Sequence, residues 1–208
     1  MTKIKICGIK TVNDALAAMD AGVDLIGFNF YRKSPRYVEV GMCRNIMSVM
    51  RQHGRVTCVG VFVNASVTEI RATMGTLGLN LAQLHGDEPV EMLHQLGGQG
   101  FKAFRGIPES VDGFVRNDAP AFLVDASVKG VYGGSGVTAD WKGAAELAKK
   151  YPLLLAGGLT PENVADAVQQ VRPWGVDVAS GVESSPGAKD AAKMKAFVKA
   201  VKTMDDRQ

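Results

Sequence analysis

The sequence predicts an α/β fold, a single-domain (β/α)8 or TIM barrel spanning residues 1–208, on three observations. Short apolar runs rich in β-formers alternate with longer stretches of helical period along the whole chain. No Ser/Pro-rich linker or block of like charge breaks the alternation, so one domain accounts for it. Eight such units give about 26 residues each, the compact end for a barrel whose usual length is roughly 250. An open, doubly wound sheet also alternates strand and helix, but eight consecutive units favour closure.

The first strand is expected at residues 4–7, "IKIC", and "TVND" at 11–14 opens the first helix, 13–21, as a capping box. "DLIGF" at 24–28 supplies the second strand, and the amphipathic, Met-containing stretch at 40–51 reads as a helix facing the core. "TCVGVF" at 57–62 is the third strand, with a helix at 67–75, and "LNLAQL" at 79–84 the fourth, with a helix at 89–96. "FKAF" at 101–104 precedes a fifth helix expected at 110–115, and "AFLVD" at 121–125 precedes a sixth at 141–150. After "LLLA" at 153–156, "TPEN" at 160–163 puts Thr ahead of a Pro at the first position of a helix over 161–170. "VDVA" at 176–179 and a helix at 191–202 complete the set.

With 46% hydrophobic and 22% charged residues the chain can bury a sizeable core. A net charge of +3, scattered along the sequence, gives no reason to expect nucleic acid or membrane as a partner and suits a small anionic substrate. No apolar run approaches the ~20 residues that span a bilayer. Residues 1–5 lead into a strand and not a signal segment, so a cytoplasmic monomer or homodimer is expected. Cys7, Cys43 and Cys58 are odd in number and lack CxxC spacing, which indicates neither a disulfide framework nor a zinc site. Cys43 and Cys58 read as packing residues.

Barrels of this kind carry their chemistry at the C-terminal ends of the strands. Those ends hold Cys7, Asn29, Asn64, His85, Arg105, Asp125, Gly157-Gly158 and Ser180-Gly181. Strand alternation sharpens the set. Ile4 and Ile6 suit the helix side of the first strand, which turns Lys5 and Cys7 inward; Phe122 and Val124 do the same on the sixth, which turns Leu123 and Asp125 inward. Cys7 and Asp125 then face each other across the mouth as a candidate acid/base pair, with neither role assigned to either residue. The competing reading of Cys7 is a core residue, because free cysteine is among the most buried types.

Glycine supplies a second signal. "AGGLTPEN" at 156–163 and "VASGVESSPG" at 178–187 place Gly157, Gly158, Ser180 and Gly181 just after the seventh and eighth strands, where backbone N–H groups and a helix N-terminus can hold phosphate. "YGGSG" at 132–136, with Gly133, Gly134, Ser135 and Gly136, reads as a substrate loop after the sixth strand. None of these is a Walker or GxGxxG sequence, so nucleotide binding is not supported.

The segments "KICGIK", "GFNFYRKSPRYV", "VGVFVN", "AQLHGDE", "KAFR", "LVDAS", "YGGSG", "LLLAGGLTPENV" and "VDVASGVESSPGAKD" cover the chain from end to end. In order and spacing they resemble the phosphoribosylanthranilate isomerase family, (β/α)8 enzymes of tryptophan biosynthesis. Departures are small: "VAS" where that family usually has "VSS", Ala139 before "DW" where an aromatic is common, and Lys33 in the variable stretch before "SPR". The resemblance implies an Amadori rearrangement of a phosphosugar, with Asp125 as general acid and Cys7 as general base. It implies no metal and no cofactor, because the protonated imine formed on the substrate is itself the electron sink. It also implies Arg36 on the anthranilate carboxylate, which a planar guanidinium fork matches. His85 in "QLHG" could line the substrate pocket or be a satisfied strand-end histidine, and Asp177, inward on the eighth strand, could bond the substrate's amine or ribose hydroxyls or pair with a barrel lysine. Lys5 could favour the Cys7 thiolate or simply pair with a core carboxylate. A related histidine-pathway isomerase carries aspartate at the position of Cys7. A metal-dependent epimerase would need more strand-end histidines than the single one, His85, among His53, His85 and His94. A catalytically idle partner subunit would have little use for both Cys7 and Asp125.

Overall fold

The computed structural model describes residues 1–126 and 140–205. Eight parallel strands close into a barrel: β1 (Lys3–Cys7), β2 (Leu25–Asn29), β3 (Thr57–Phe62), β4 (Leu81–Leu84), β5 (Gly100–Arg105), β6 (Leu123–Asp125), β7 (Leu154–Ala156) and β8 (Gly175–Val178). Closure is made at β1, where Lys5 stands opposite Leu25 of β2 on one side and Asp177 of β8 on the other. Among the described residues seven α-helices pack outside: α1 (Val12–Ala21), α2 (Val40–His53), α3 (Val67–Leu77), α4 (Val90–Gln95), α5 (Trp141–Ala148), α6 (Val164–Val171) and α7 (Ala191–Asp205). No helix among them is long and apolar enough to cross a membrane.

Period-two alternation divides the apolar side chains into two layers. Leu25, Val59, Leu81, Phe101, Leu123 and Leu154 fill the barrel interior. Ile4, Ile6, Ile26, Phe28, Phe122 and Val124 face outward and are covered by the helices. The interior plug leaves the strand ends as the place where polar groups can gather. Local signals set the helix starts: the Thr11 hydroxyl accepts a hydrogen bond from the Asp14 amide at 3.1 Å, and Ser66 and Glu69 make a reciprocal capping box.

The fifth helix expected at 110–115 does not form; these residues run as turns with no helix. Gly113 has φ +75°, outside the helical region. The segment is anchored by side chains instead: Val111 is buried, and Phe114 packs edge-on against Phe104 at 5.5 Å. The helix expected from residue 161 begins at Val164. Asn163 explains the delay, since its carboxamide accepts from the Thr160 amide at 2.8 Å and donates to the Gly158 carbonyl at 3.0 Å, holding the preceding residues as a turn.

Beyond β8 a 3-10 turn (Ser180–Val182) leads into a small antiparallel hairpin of β9 (Glu183–Ser185) and β10 (Ala188–Lys189). Gly187, with φ +82°, packs its backbone against the Pro35 carbonyl where a side chain would collide. The hairpin is thereby seated on the loop that carries Arg36.

Candidate active site

At the C-terminal mouth a cavity of about 240 Å³ is lined by Cys7, Arg36, His85, Asp125 and Asp177, together with Gly157, Gly158 and Ser180. Eight residues singled out from sequence therefore meet in one space. Gly181 belongs to the same wall: a Cβ there would run into the Leu159 carbonyl, so glycine lets the loops after β7 and β8 touch. Asn29 also lines the cavity, whereas Asn64 and Arg105 do not. Asn64, at φ +53°, accepts from the Asp87 amide at 2.7 Å, and Arg105 donates to the His85 carbonyl at 3.1 Å. Gly133, Gly134, Ser135 and Gly136 lie outside the described residues.

Cys7 ends β1 and faces Gly27 of β2. A Cβ on Gly27 would stand 2.9 Å from Cys7 Sγ and 3.2 Å from Lys5 Nζ, so the missing side chain is the space that thiol and ammonium occupy. Lys5 is fully buried, and its Nζ donates to Asp177 Oδ1 at 3.0 Å. Burial alone would lower the Lys5 pKa, but the Asp177 carboxylate and Cys7 raise it above the ordinary value, so the side chain stays an ammonium. The Cys7 thiol is pushed up overall, by burial first and by Asp177; Lys5 and, more weakly, Lys189 oppose that rise without reversing it.

Asp125 ends β6, with Arg105 of β5 and Ala156 of β7 in register beside it. It reaches the cavity from β6, three strands around the barrel from Cys7 on β1. His85 Nδ1 is 2.9 Å from Gln83 Nε2. With the amide in this orientation Gln83 donates, which assigns the proton of the neutral ring to Nε2. Burial lowers the His85 pKa against the pull of Asp177 and Asp125, which keeps the ring neutral near pH 7.

Arg36 is held by a carboxylate that sequence reasoning passed over. Its Nε and Nη2 donate to Glu183 Oε1 and Oε2 at 2.7 and 2.8 Å. Lys189 Nζ reaches the same Oε1 at 2.8 Å and the Ala179 carbonyl at 2.9 Å. Burial would raise the Glu183 pKa, but Arg36 and Lys189 hold it below the usual carboxylate range. The Arg36 stem crosses Gly8, whose φ is +82° and where a Cβ would lie 2.7 Å from Arg36 Cδ. Glu183 takes the side edge of the guanidinium and leaves its end edge for a ligand. The available signal was a pair of charges bracketing the "SSPGA" turn in "VESSPGAKD". Gln83 was also passed over, although it stands two residues before His85 and so shares its face.

A family model for N-(5'phosphoribosyl)anthranilate (PRA) isomerase matches residues 4–200. The N-(5'-phosphoribosyl)anthranilate isomerase of Myxococcus xanthus is 46% identical over 212 aligned positions, covering 98% of this chain and 97% of that protein. The crystal structure of phosphoribosyl anthranilate isomerase from Thermotoga maritima superposes with a TM-score of 0.85 at 38% identity, over 98% of this chain and 100% of that one. A phosphoribosyl anthranilate isomerase crystallised with reduced 1-(o-carboxyphenylamino)-1-deoxyribulose 5-phosphate gives a TM-score of 0.78 at 35% identity, with 98% and 100% coverage. The match in sequence, barrel and full length shows that the chain belongs to the N-(5'-phosphoribosyl)anthranilate isomerase family.

Proposed function

We propose that the chain converts N-(5'-phosphoribosyl)anthranilate into 1-(2-carboxyphenylamino)-1-deoxyribulose 5-phosphate, with Asp125 as general acid and Cys7 as general base. The observation that carries this reading is the meeting of these two residues, from the ends of β6 and β1, across a single cavity. Asp125 gives its proton to the furanose ring oxygen; the C1–O bond breaks and the nitrogen lone pair forms the C1=N iminium. Cys7, as thiolate, then takes the C2 proton. The C2–H electrons become the C1=C2 bond and the iminium electrons return to nitrogen, leaving an enol-amine. Gain of a proton at C1 and loss of the C2 hydroxyl proton give the ketose. Across the cycle Asp125 has lost one proton and Cys7 has gained one, and exchange through solvent resets the pair. Because the iminium accepts the electrons, the chemistry draws on no cofactor.

The same reading gives the other groups their work. The free edge of Arg36 takes the anthranilate carboxylate as a two-pronged partner. Gly157, Gly158, Ser180 and Gly181 hold the phosphate through backbone N–H groups at the ends of β7 and β8. Neutral His85 and the second oxygen of Asp177 can bond the ribose hydroxyls or the substrate amine.

The test is loss of fluorescence of freshly generated N-(5'-phosphoribosyl)anthranilate, run beside the histidine-pathway aminoaldose. Turnover of the first is expected, falling about 10²–10⁴-fold in Asp125→Asn with cooperative unfolding retained, since an amide cannot supply the ring-opening proton. A loss of less than about tenfold in that variant, or turnover of the histidine-pathway compound alone, would reject the reading.

A further inference from the structure

We propose that Lys5, anchored by Asp177, is a positioning residue that holds the Cys7 sulfur ready to act as an anion. The proposal rests on the reading of Cys7 as the base and names the group that lets a buried thiol serve as one. Lys5 is among the largest side chains in the protein with no solvent exposure, and the assigned steps give it no role of their own. A buried ion pair is poor stabilising material: apolar side chains of the same volume hold a fold at least as well. The charge at the centre of this barrel therefore asks for a local use.

The geometry supplies one. Lys5 and Cys7 are two residues apart on β1 and share its inner face. Lys5 Nζ and Cys7 Sγ both crowd the place that a side chain on Gly27 would take, 3.2 and 2.9 Å from where its Cβ would stand. Asp177, in register with Lys5 on the neighbouring strand, accepts one of the three ammonium protons at 3.0 Å and fixes the direction of the amine. The remaining protons are available to the sulfur.

The charges around Cys7 have opposing effects. Lys5 on β1 favours the thiolate, as does Lys189 on β10, which is itself tied to Glu183; Asp177 on β8 opposes it. Arg36, His85 and Asp125 face the same cavity. Removing Lys5 would leave burial and Asp177 acting together against the anion. During turnover Lys5 remains an ammonium: the thiolate takes the C2 proton and becomes a thiol beside an unchanged cation.

The experiment follows iodoacetamide labelling of Cys7 by peptide mass mapping across pH, which reads the thiol's titration without substrate. Lys5→Met keeps the length and removes the charge, and Lys5→Met/Asp177→Asn against Asp177→Asn alone covers the case in which a stranded Asp177 carboxylate unfolds the single variant. In both comparisons loss of Lys5 should move the Cys7 labelling midpoint alkaline by about one pH unit or more, and kcat at pH 7 should fall about tenfold, one unit being tenfold in thiolate. KM should change little. A lower melting temperature with an unmoved midpoint would make Lys5 a packing residue and overturn the proposal. A moved midpoint with unchanged kcat would uphold the coupling and remove Cys7 as the base, so the two failures read differently.

Discussion

Arg36 and Glu183, 147 residues apart in sequence, form a two-pronged ion pair of 2.7 and 2.8 Å at the rim of the cavity. The pair joins the loop after β2 to the hairpin after β8, and it fixes which edge of the guanidinium remains for a ligand. A charged hydrogen-bonded contact of this kind is worth about 1.5–3 kcal/mol. Arg36→Met is therefore expected to raise KM by about 10–100-fold, with affinity for inorganic phosphate nearly unchanged. Glu183→Gln, which loosens the fork without removing it, should raise KM less. If phosphate and product analogues lose affinity in equal proportion in Arg36→Met, the arginine binds phosphate and the substrate lies the other way round.

Gly27 sets the position of the thiol by having no side chain. Its φ is not in the left-handed region, so space and not backbone conformation is the requirement. Gly27→Ala puts a methyl group 2.9 Å from Cys7 Sγ, too close to be tolerated without displacement. Displacement of a reacting atom by about 1 Å can cost ~10²-fold in rate. A fall in kcat of that order, with a cooperative thermal transition still present, is the expected outcome; a variant with ordinary kcat would show that the sulfur's position is not critical.

Strand alternation made the inward facing of Cys7 and Asp125 legible, because a period of two leaves no choice about which of Ile6 and Cys7, or of Val124 and Asp125, faces inward once the apolar neighbours are assigned to the helices. Glycine marked the ends of β7 and β8, where Gly157, Gly158 and Ser180 line the cavity. What stayed hidden depended on contacts distant in the chain. Glu183 reads locally as a solvated charge in a turn, and nothing near it indicates that Arg36 will lie across Gly8 to meet it. The segment at 110–115 failed differently. Its pattern has apolar residues at plausible spacing, but Gly113 takes a positive φ and Phe114 gains more by packing on Phe104 than a single helical turn can offer. Lys5 was legible as inward-facing with a core carboxylate as one candidate partner, and Asp177 as inward-facing with a barrel lysine as one of its own; the register of β1 with β8 joins the two.

A second buried pair governs acid stability. Lys102 Nζ lies 2.7 Å from Glu88 Oε2, with both side chains almost wholly buried. Burial would raise the Glu88 pKa, but Lys102 and the Asn64 amide hold it below the ordinary glutamate value, as Arg36 and Lys189 do for Glu183. A depressed carboxylate contributes stability that is complete above its unfolded pKa, about 4.3, and is lost as pH falls through the folded value. The melting temperature is expected to be flat in this respect above pH 5 and to drop below about 4.3. Glu88→Gln, which leaves Lys102 buried without its counter-charge, should cost about 3 kcal/mol at pH 7 and flatten the acid limb. Wild-type steepness in that variant would assign the acid transition to other groups.

The three cysteines offer the sharpest separation of chemistry from packing. By exposure alone they are alike, at 8% for Cys7, 0% for Cys43 and 6% for Cys58. Their surroundings differ. Burial pushes the Cys43 thiol up to about 12 and Cys58 to about 11, the latter slightly relieved by Arg51, and both sulfurs pack in the layer beneath the helices. Cys7 is also pushed up, by burial and Asp177, with Lys5 and Lys189 opposing but not reversing the rise; what sets it apart is that its side chain borders the cavity and has two ammonium groups near it. Iodoacetamide at limiting dose should therefore find Cys7 first, with a rate that rises with pH as the thiolate forms. A product analogue seated across the mouth should slow labelling of Cys7 and leave the slower labelling of the other two unchanged. Activity should fall in step with Cys7 modification, since the carboxamidomethyl group fills the cavity and removes the proton acceptor. Cys7→Ser should fold and lose most of its turnover, because a hydroxyl is a far weaker base near neutral pH. Full activity in enzyme alkylated at Cys7, or an ordinary rate for Cys7→Ser, would return this thiol to the core.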